Sequence, residues 1–318
     1  MITETSLSVQ VPQIAVAMTS TANAMQSLCY VLVTPARNEA AFIEATIRSV
    51  INQTKLPKRW IIVSDGSIDG TDEIVRRYAI EHSWIELLRM PERKERSFGG
   101  KVLCFEAAYT RLKDTTFDII ANLDADITFS PGYIAFLVDK FIADPELGIA
   151  GTPFVENGTS YDFRFTSLEH VSGACQLFRR ACYEQIGGYV PVKGGGIDWI
   201  AVISARMHGW RTRTFTETVC YHHRPMGTAS SGKLIANFRL GRQDYYLGGH
   251  PLWQIIRATY QLARPPYIIG GTLILAGYGW GWLTRAKRPV SKELTKFHRT
   301  EQMQRLRKIL LARLLKQN

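Results

Sequence analysis

Short apolar runs alternate with amphipathic stretches through the first two thirds of the chain. Residues 41–51 and 72–81 place apolar side chains at helical spacing, and a third helix is expected after Gly99-Gly100-Lys101. The apolar runs are too short for core helices, and they predict buried strands at residues 30–35, 60–64, 85–88 and 119–123. Strands and helices that alternate with short turns predict a doubly wound α/β fold with a mainly parallel sheet.

Acidic side chains follow the predicted strands. Asp124 and Asp126 come directly after the run at residues 119–123, and Asp65 follows the run at residues 60–64. Open α/β sheets bind their ligands at the carboxyl ends of the strands. Two carboxylates two residues apart repel each other unless a cation lies beside them, and a divalent ion that also binds a diphosphate would suit the pair. The alternative is that Asp124 and Asp126 only cap the next helix.

Length and cysteine usage restrict the class of protein. A chain of 318 residues with 46% hydrophobic content can bury one large domain and an accessory region. The five cysteines form no C-x-x-C pair, which favours reduced thiols in the cytosol and argues against a zinc site. Residues 1–27 are rich in Ser, Thr and Ala and have no long apolar core, so we expect a loosely ordered tail and no secretory signal.

The composition changes near residue 231. Residues 234–246 and 253–262 mix Arg with aromatic and aliphatic side chains, as helices in a bilayer interface do. Residues 267–283 carry no charge and lie at the lower length limit for a membrane span. We therefore expect a membrane-associated helical region at residues 231–318, with residues 267–283 as a short span or a re-entrant hairpin. A buried core helix is the alternative.

The net charge of +11 is concentrated after residue 285. Apolar side chains there fall largely on one helical face with Lys and Arg around them, which suits the anionic cytoplasmic leaflet of a membrane. Nucleic acid is the other natural partner of a basic segment, but no recognised binding motif supports it. The expected location is the cytoplasmic face of the cell membrane.

Three motifs carry a resemblance to a known family. They are Thr-Pro-Ala-Arg-Asn-Glu at residues 34–39, Ser-Asp-Gly-Ser-Ile-Asp-Gly-Thr at residues 64–71 and Leu-Asp-Ala-Asp at residues 123–126. In this order, each after a predicted strand, they resemble the family 2 glycosyltransferases of GT-A fold, the nucleotide-diphospho-sugar transferase fold. The resemblance covers about residues 30–223 and implies a catalytic domain at residues 28–230. Ser64 departs from it, because the family often has an aspartate there.

The resemblance implies a site for a nucleotide sugar and a divalent ion. Asp65 would read the nucleobase, and Asp124 would face the ribose or the sugar. Asp126 and His222 would hold Mg²⁺ or Mn²⁺ against the diphosphate. Lys101 would contact a phosphate or sugar oxygen, with a solvated lysine as the alternative. The residues assigned to the nucleotide sugar are Pro35, Ala36, Arg37, Glu39, Asp65, Lys101 and Asp124.

On the acceptor side, the resemblance assigns the general base to Asp198. The family usually has Glu-Asp at a helix start, and here Ile197 replaces the glutamate. An acceptor hydroxyl is a poor nucleophile, and a nearby carboxylate removes its proton as it attacks the anomeric carbon. Attack opposite the leaving diphosphate inverts that centre. The alternative is that Asp198 only caps the helix expected at residues 200–208.

Together these features predict an inverting, metal-dependent glycosyltransferase. It would move a sugar from a nucleotide-diphosphate donor, a UDP-sugar, to a polyprenyl-linked or glycan hydroxyl in cell-surface polysaccharide or glycan biosynthesis. The chain lacks the Q-x-x-R-W signature of processive synthases, which favours transfer of a single sugar. One alternative is a membrane-associated nucleotide-sugar-binding protein without turnover. Another is a nucleotidyltransferase, which would need a glycine-rich basic loop after the first strand.

Overall fold

A computed structural model describes residues 27–92, 98–156, 158, 167–192, 195–224, 233–264 and 266–314. The strands in this part of the chain are β1 Tyr30–Ala36, β2 Trp60–Ser64, β3 Ile85–Arg89, β4 Ile119–Leu123, β5 Ile127–Phe129, β6 Leu147–Gly151, β7 Phe154–Val155, β8 Cys175–Arg179, β9 Arg211–Thr214 and β10 Cys220–His222. The helices are α1 Ile43–Ile51, α2 Thr71–Glu81, α3 Phe98–Arg111, α4 Tyr133–Ala143, α5 Arg180–Gln185, α6 Ile197–Met207, α7 Lys233–Tyr246, α8 Pro251–Leu262, α9 Ile269–Leu283 and α10 Lys292–Leu314.

A twisted sheet with strand order β3-β2-β1-β4-β8-β6-β9 forms the centre of the α/β domain. Only β8 among these strands runs antiparallel to its neighbours, so the prediction of a mainly parallel sheet is confirmed. The strands β2 and β4 are buried along their whole length, because α1, α2 and α4 cover one face and α3, α5 and α6 cover the other. This two-sided burial explains their continuous apolar runs.

A small second sheet, in the order β5-β10-β7, lies beyond the carboxyl end of β4. In its antiparallel pairing His222 is opposite Ile127, one residue after Asp126. The strand β9 ends at Thr214 in the large sheet, and β10 begins at Cys220 in the small one, so His222 belongs to the small sheet.

Two helix boundaries differ from those expected. Lys101 does not precede a helix, because α3 begins at Phe98 and Lys101 lies in its first turn. The helix expected at residues 200–208 begins three residues earlier, with Gly196 as its N-cap, so Asp198 belongs to the first turn of α6. Gly196 has φ of 89°, a left-handed conformation that glycine adopts without strain.

The C-terminal helices pack closely on one another. A Cβ atom at Gly241 of α7 would overlap the carbonyl oxygen of Ile274, and one at Gly277 of α9 would overlap that of Phe238, so only glycine allows this approach of the two helices. Arg206 of α6 pairs with Glu301 of α10 at 2.7 Å, which ties the last helix to the α/β domain. In the part of the chain that the structure describes, no helix is both long enough and apolar enough to cross a membrane.

Candidate active site

The loop after β1 and the loop after β2 are held together by hydrogen bonds. The amide of Asp65 donates to the carbonyl of Ala36 at 2.8 Å, and the carboxylate of Asp65 lies 3.6 Å from the guanidinium of Arg37. The amide of Glu39 donates to Oγ1 of Thr71 at 2.8 Å. These contacts bring Pro35, Ala36, Arg37, Glu39 and Asp65 to one edge of the sheet, at the carboxyl ends of β1 and β2.

Lys101 and Asp124 form an ion pair at the carboxyl end of β4. The ammonium group of Lys101 also donates to the carbonyl of Gly173 at 3.2 Å, and the side-chain amide of Asn122 donates to the same carbonyl at 2.6 Å. Asn122 reaches Asp124 as well, at 3.4 Å. The ammonium group of Lys101 is therefore held by protein partners at the candidate site, and no sequence motif indicated Asn122 and Gly173 as its neighbours.

Asp126 is surrounded by cationic and titratable groups. Nε2 of His222 lies 3.6 Å from its Oδ2, and Nε of Arg224 lies 3.8 Å from the same atom. Burial raises the pKa of the Asp126 carboxyl, the negative charge of Asp124 raises it further, and His222 and Arg224 oppose the shift. Arg224 also pairs with Glu39, which joins the end of the small sheet to the loop after β1.

The other nitrogen of His222 is occupied by a carboxylate. Its Nδ1 lies 3.0 Å from Oε2 of Glu156, which follows β7. This contact turns Nε2 towards Asp126, the arrangement in which a histidine ligates a metal while a second carboxylate orients its ring. No motif in the sequence indicated Glu156, because its contact depends on the pairing of β7 with β10.

The described residues contain no group of three or more His, Cys, Asp or Glu side chains arranged to hold a metal ion. Asp126 and His222 do present an oxygen and a nitrogen on facing side chains, 3.6 Å apart. Mg²⁺ commonly takes one or two protein ligands and completes its shell with phosphate oxygens and water. The pair therefore fits a divalent ion that a bound diphosphate would also ligate, and it does not form a closed protein site.

Asp198 faces the carboxyl end of β4 from the start of α6. Its Oδ2 accepts a hydrogen bond of 3.0 Å from the amide of Gly173. That contact lies outside α6, and α6 shows no side-chain cap. The helix-cap alternative for Asp198 is therefore wrong. The same alternative for Asp124 and Asp126 is also wrong, because α4 begins at Tyr133 with Gly132 as its N-cap and without a side-chain cap.

A cavity of about 170 Å³ joins the predicted residues. Lys101, Asp124, Asp198 and His222 all contribute to its wall, although they come from four separate segments of the chain. Ser172, Gly173 and Tyr189 complete the side next to Asp198. Asp126 and Asp65 are not part of this wall: Asp126 contacts His222 at 3.6 Å, and Asp65 follows β2, which β1 separates from β4. The carboxylates at the strand ends and the carboxylate of α6 thus meet at one edge of the sheet.

Comparison with known sequences gives a consistent family. The pattern described as glycosyl transferase family 2 matches residues 31–196, just over half of the chain. A poly-β-1,6-N-acetyl-D-glucosamine synthase from Staphylococcus epidermidis is 21% identical over 237 residues, which is 67% of this chain and 52% of the relative. A synthase of the same name from Staphylococcus aureus (strain COL) is 27% identical over 136 residues, which is 42% of this chain and 31% of the relative. The chain thus spans at most about half the length of these curated relatives.

Solved structures give the fold. The mannosyltransferase PcManGT from Pyrobaculum calidifontis, in complex with GDP-Man and Mn²⁺, has a TM-score of 0.54 at 20% identity, over 87% of this chain and 84% of that one. Residues 1–349 of S. aureus TarS, in complex with UDP-GlcNAc, give a TM-score of 0.52 at 14% identity, over 82% and 76%. At these identities the likeness shows the fold alone, and that fold is GT-A.

Proposed function

The chain belongs to glycosyl transferase family 2 and is a glycosyltransferase, and we propose that it moves a single sugar from a nucleotide-diphosphate donor to an acceptor hydroxyl with inversion. The observation that carries this proposal is the cavity shared by Asp198, Asp124, Lys101 and His222. A candidate base and candidate donor-binding groups line the same small space, as a direct displacement at the anomeric carbon requires.

Asp198 is proposed as the general base. The amide of Gly173 holds its Oδ2, so the carboxylate has a fixed orientation at the cavity wall. It would accept the proton of the acceptor hydroxyl while the hydroxyl oxygen bonds to the anomeric carbon and the diphosphate leaves. Attack and departure on opposite faces of the sugar account for the inversion.

The donor is proposed to lie along the carboxyl ends of β1, β2 and β4. Asp65 would accept from a nucleobase N–H, and Asp124 would accept from the ribose or the sugar. Lys101 forms an ion pair with Asp124. Its ammonium group would leave this pair and contact a phosphate or sugar oxygen of the bound donor. UDP is the proposed nucleotide. Among the fold neighbours TarS is in complex with UDP-GlcNAc and PcManGT with GDP-Man.

Asp126 and His222 are proposed to hold Mg²⁺ or Mn²⁺. A bound divalent ion supplies a Lewis acid that stabilises the charge developing on the leaving diphosphate. The raised pKa of Asp126 supports this assignment, because it reflects a buried carboxylate beside a second negative charge. A cation at that point would favour the charged form of both acids.

The acceptor is proposed to be a polyprenyl-linked or glycan hydroxyl in cell-surface polysaccharide or glycan biosynthesis, at the cytoplasmic face of the cell membrane. The curated relatives are named as synthases of a polymer. The absence of the Q-x-x-R-W signature supports transfer of one sugar by this chain. The exposed tryptophans of α9, together with the basic α10, support contact with a membrane.

The experiment that tests the proposed function is release of nucleoside diphosphate. Purified protein is incubated with UDP-sugars, Mn²⁺ and a membrane lipid extract as the acceptor source. We expect release of UDP that requires the extract, falls at least tenfold with EDTA and returns with added Mn²⁺. Binding of a UDP-sugar without release would favour the binding protein, and release that EDTA leaves unchanged would remove the metal role of Asp126 and His222.

A further inference from the structure

A second, larger cavity of about 900 Å³ lies among the C-terminal helices. Its wall is formed by the end of α7, His250 before α8, the segment after α9 and residues 292–307 of α10. The described residues that line it include no Asp or Glu. The cationic side chains in its wall are Arg288, Lys292, Lys296, Arg299 and Arg307.

Two of these cations are held in place by backbone carbonyls. Nε of Arg288 donates to the carbonyl of Tyr245 at 3.0 Å, and its guanidinium lies 4.3 Å from the centroid of the Tyr245 ring. Nε of Arg299 donates to the carbonyl of Gly248 at 3.0 Å. In the described part of the chain no carboxylate forms an ion pair with either guanidinium. Among the described residues, both guanidinium groups are therefore held in place without a neutralising carboxylate.

Like charges that share a cavity raise its positive potential and attract an anion. Each guanidinium presents a planar fork of N–H donors that binds two oxygens. Two ordered forks suit phosphate in particular, because phosphate offers enough oxygens for both, whereas the two oxygens of a carboxylate are taken up by one fork. Lys292 and Lys296 also line the cavity but are exposed. Their ammonium groups would add positive charge without a fixed hydrogen-bond geometry. The chemistry of the wall therefore indicates a phosphate-bearing ligand.

An exposed apolar edge adjoins this cavity. At the end of α9, Trp280 is 54% exposed, Trp282 is 67% exposed and Leu283 is 70% exposed. The chain passes from this edge into the cavity wall at Ala286, three residues after Leu283, and Arg288 follows two residues later. Tryptophan is the residue that concentrates at the boundary between lipid and water. A basic cavity beside such an edge matches an amphiphile, with an anionic head and an apolar tail.

We propose that this cavity binds the phosphate group of an anionic lipid, with Arg288 and Arg299 as its principal ligands and the aromatic edge of α9 in the bilayer interface. This is a discrete site with a preference for phosphate, which differs from a general attraction of basic residues to a negative surface.

The position of the cavity relates it to the active site. A Cβ atom at Gly196, which lines the active-site cavity, would lie 3.0 Å from Gln243 and from Leu247 at the end of α7. Tyr245, from the same turn of α7, lines the basic cavity. One helix end therefore borders both spaces. That the bound lipid is the sugar acceptor rests on the proposed function, whereas lipid binding itself does not.

The test measures the preference of the whole chain for phosphate over another anion, without a nucleotide sugar. Phosphatidylcholine vesicles contain either phosphatidic acid or oleic acid, adjusted to the same zeta potential, and protein binding is followed by co-sedimentation. We expect about tenfold tighter binding to the phosphate vesicles, because only phosphate satisfies both guanidinium forks. Equal binding to the two vesicles would overturn the proposal.

Variants that remove the same charge at different places distinguish binding in the cavity from general electrostatic attraction to the vesicle surface. Arg288→Gln with Arg299→Gln removes two cavity charges and should abolish the phosphate preference. Lys287→Gln with Lys308→Gln removes two exposed charges outside the cavity wall, and should weaken binding to both vesicles alike while the preference remains. If the arginine pair does not fold, Lys292→Gln with Lys296→Gln is the substitute, and its preference should fall at least threefold. If the cavity variants kept the wild-type preference for phosphate vesicles, the proposed phosphate site would be wrong.

A soluble ligand distinguishes the source of the phosphate. Inorganic diphosphate, titrated into vesicle-free protein by calorimetry, should bind at least tenfold more weakly than phosphate on a vesicle, because it lacks an apolar tail to contact the edge of α9. Equal affinity for the soluble anion would overturn the lipid assignment. None of these measurements depends on sugar transfer, so their failure is distinct from failure of the proposed function.

Discussion

Lys101 stands at the carboxyl end of β4 because α3 begins early enough to include it in its first turn. Its ammonium group pairs with Asp124 and donates to the carbonyl of Gly173, the residue whose amide fixes Asp198. One lysine thus connects a candidate donor-binding carboxylate with the loop that orients the candidate base. We therefore expect a substitution at Lys101 to affect donor binding more than proton transfer.

Replacing Lys101 by Met should raise the KM for the donor about tenfold and lower kcat less. The methionine keeps most of the apolar volume and removes the charge that a donor oxygen would contact, and a partly exposed charged hydrogen bond is worth roughly that factor. Steady-state kinetics with varied UDP-sugar measures both constants. Lys113→Met is the matched control, because Lys113 is exposed and lies outside the cavity. Equal changes in the two variants would contradict the role of Lys101.

At the scale of elements, the contact between α7 and α9 depends on two glycines. Gly241 and Gly277 let the backbones approach until each glycine meets a carbonyl oxygen of the other helix. Gly279, two residues after Gly277 on α9, has open space where a Cβ atom would be. The glycines of α9 that look like poor helix formers in the sequence therefore divide into those that packing requires and one that it does not.

Gly241→Ala or Gly277→Ala should lower the free energy of unfolding by about 2 to 3 kcal/mol, because the added methyl group forces the helices apart. Gly279→Ala, in the same helix, should raise it by up to about 1 kcal/mol through helix propensity alone. Thermal unfolding of the three variants measures the order of their stabilities. If Gly279→Ala destabilised the protein as much as the other two, the close contact of α7 with α9 would be refuted.

The contact between α6 and α10 contains a buried histidine. His298 of α10 packs edge-on against Trp199 of α6, with ring centroids 4.2 Å apart, and neither ring nitrogen has a hydrogen-bond partner among the described residues. Burial, with Arg206 and Arg299 nearby, lowers the pKa of His298 from 6.5 to about 3. The folded protein therefore holds this imidazole neutral at pH values at which the unfolded chain protonates it.

This lowered pKa makes stability depend on pH. Between pH 6.5 and about 3 the unfolded state binds a proton at His298 that the folded state does not, so stability falls as the pH falls. The slope from one such proton is at most about 1.4 kcal/mol per pH unit. His298→Phe keeps the ring contact with Trp199 and should remove this part of the slope. Denaturant unfolding at several pH values measures it, and parallel curves for the two proteins would show that His298 is not buried in this way.

The elements that the sequence predicted well are those with a strong local pattern. The strands β1, β2 and β4 are continuous apolar runs because helices cover both faces of the sheet, and their boundaries agree closely with the prediction. The strands β5, β7 and β10 have only two or three residues, too few for any periodicity, and they form through contacts between distant segments. For the same reason the motifs indicated Asp124, Asp126 and Asp198, but nothing indicated Glu156 beside His222.

At the scale of the whole molecule, the candidate site is assembled from segments far apart in the chain. The end of β4 supplies Asp124, the first turn of α3 supplies Lys101, β10 supplies His222, and α6 supplies Asp198. The doubly wound sheet brings the strand ends to one edge, and α6 approaches that edge across Gly173. The domain boundaries at residues 28–230 and 231–318 remain a prediction, although α10 packs against α6 of the α/β domain.

The most direct test of this account is the effect of Asp198→Asn on sugar transfer and on donor binding, measured separately. We predict that kcat falls by about 10² to 10⁴, the usual contribution of a general base, while the Kd for UDP with Mn²⁺ stays within about twofold of the wild-type value. The exposed Asp139→Asn should leave both unchanged. A folded Asp198→Asn protein that transfers sugar at nearly the wild-type rate would contradict the account.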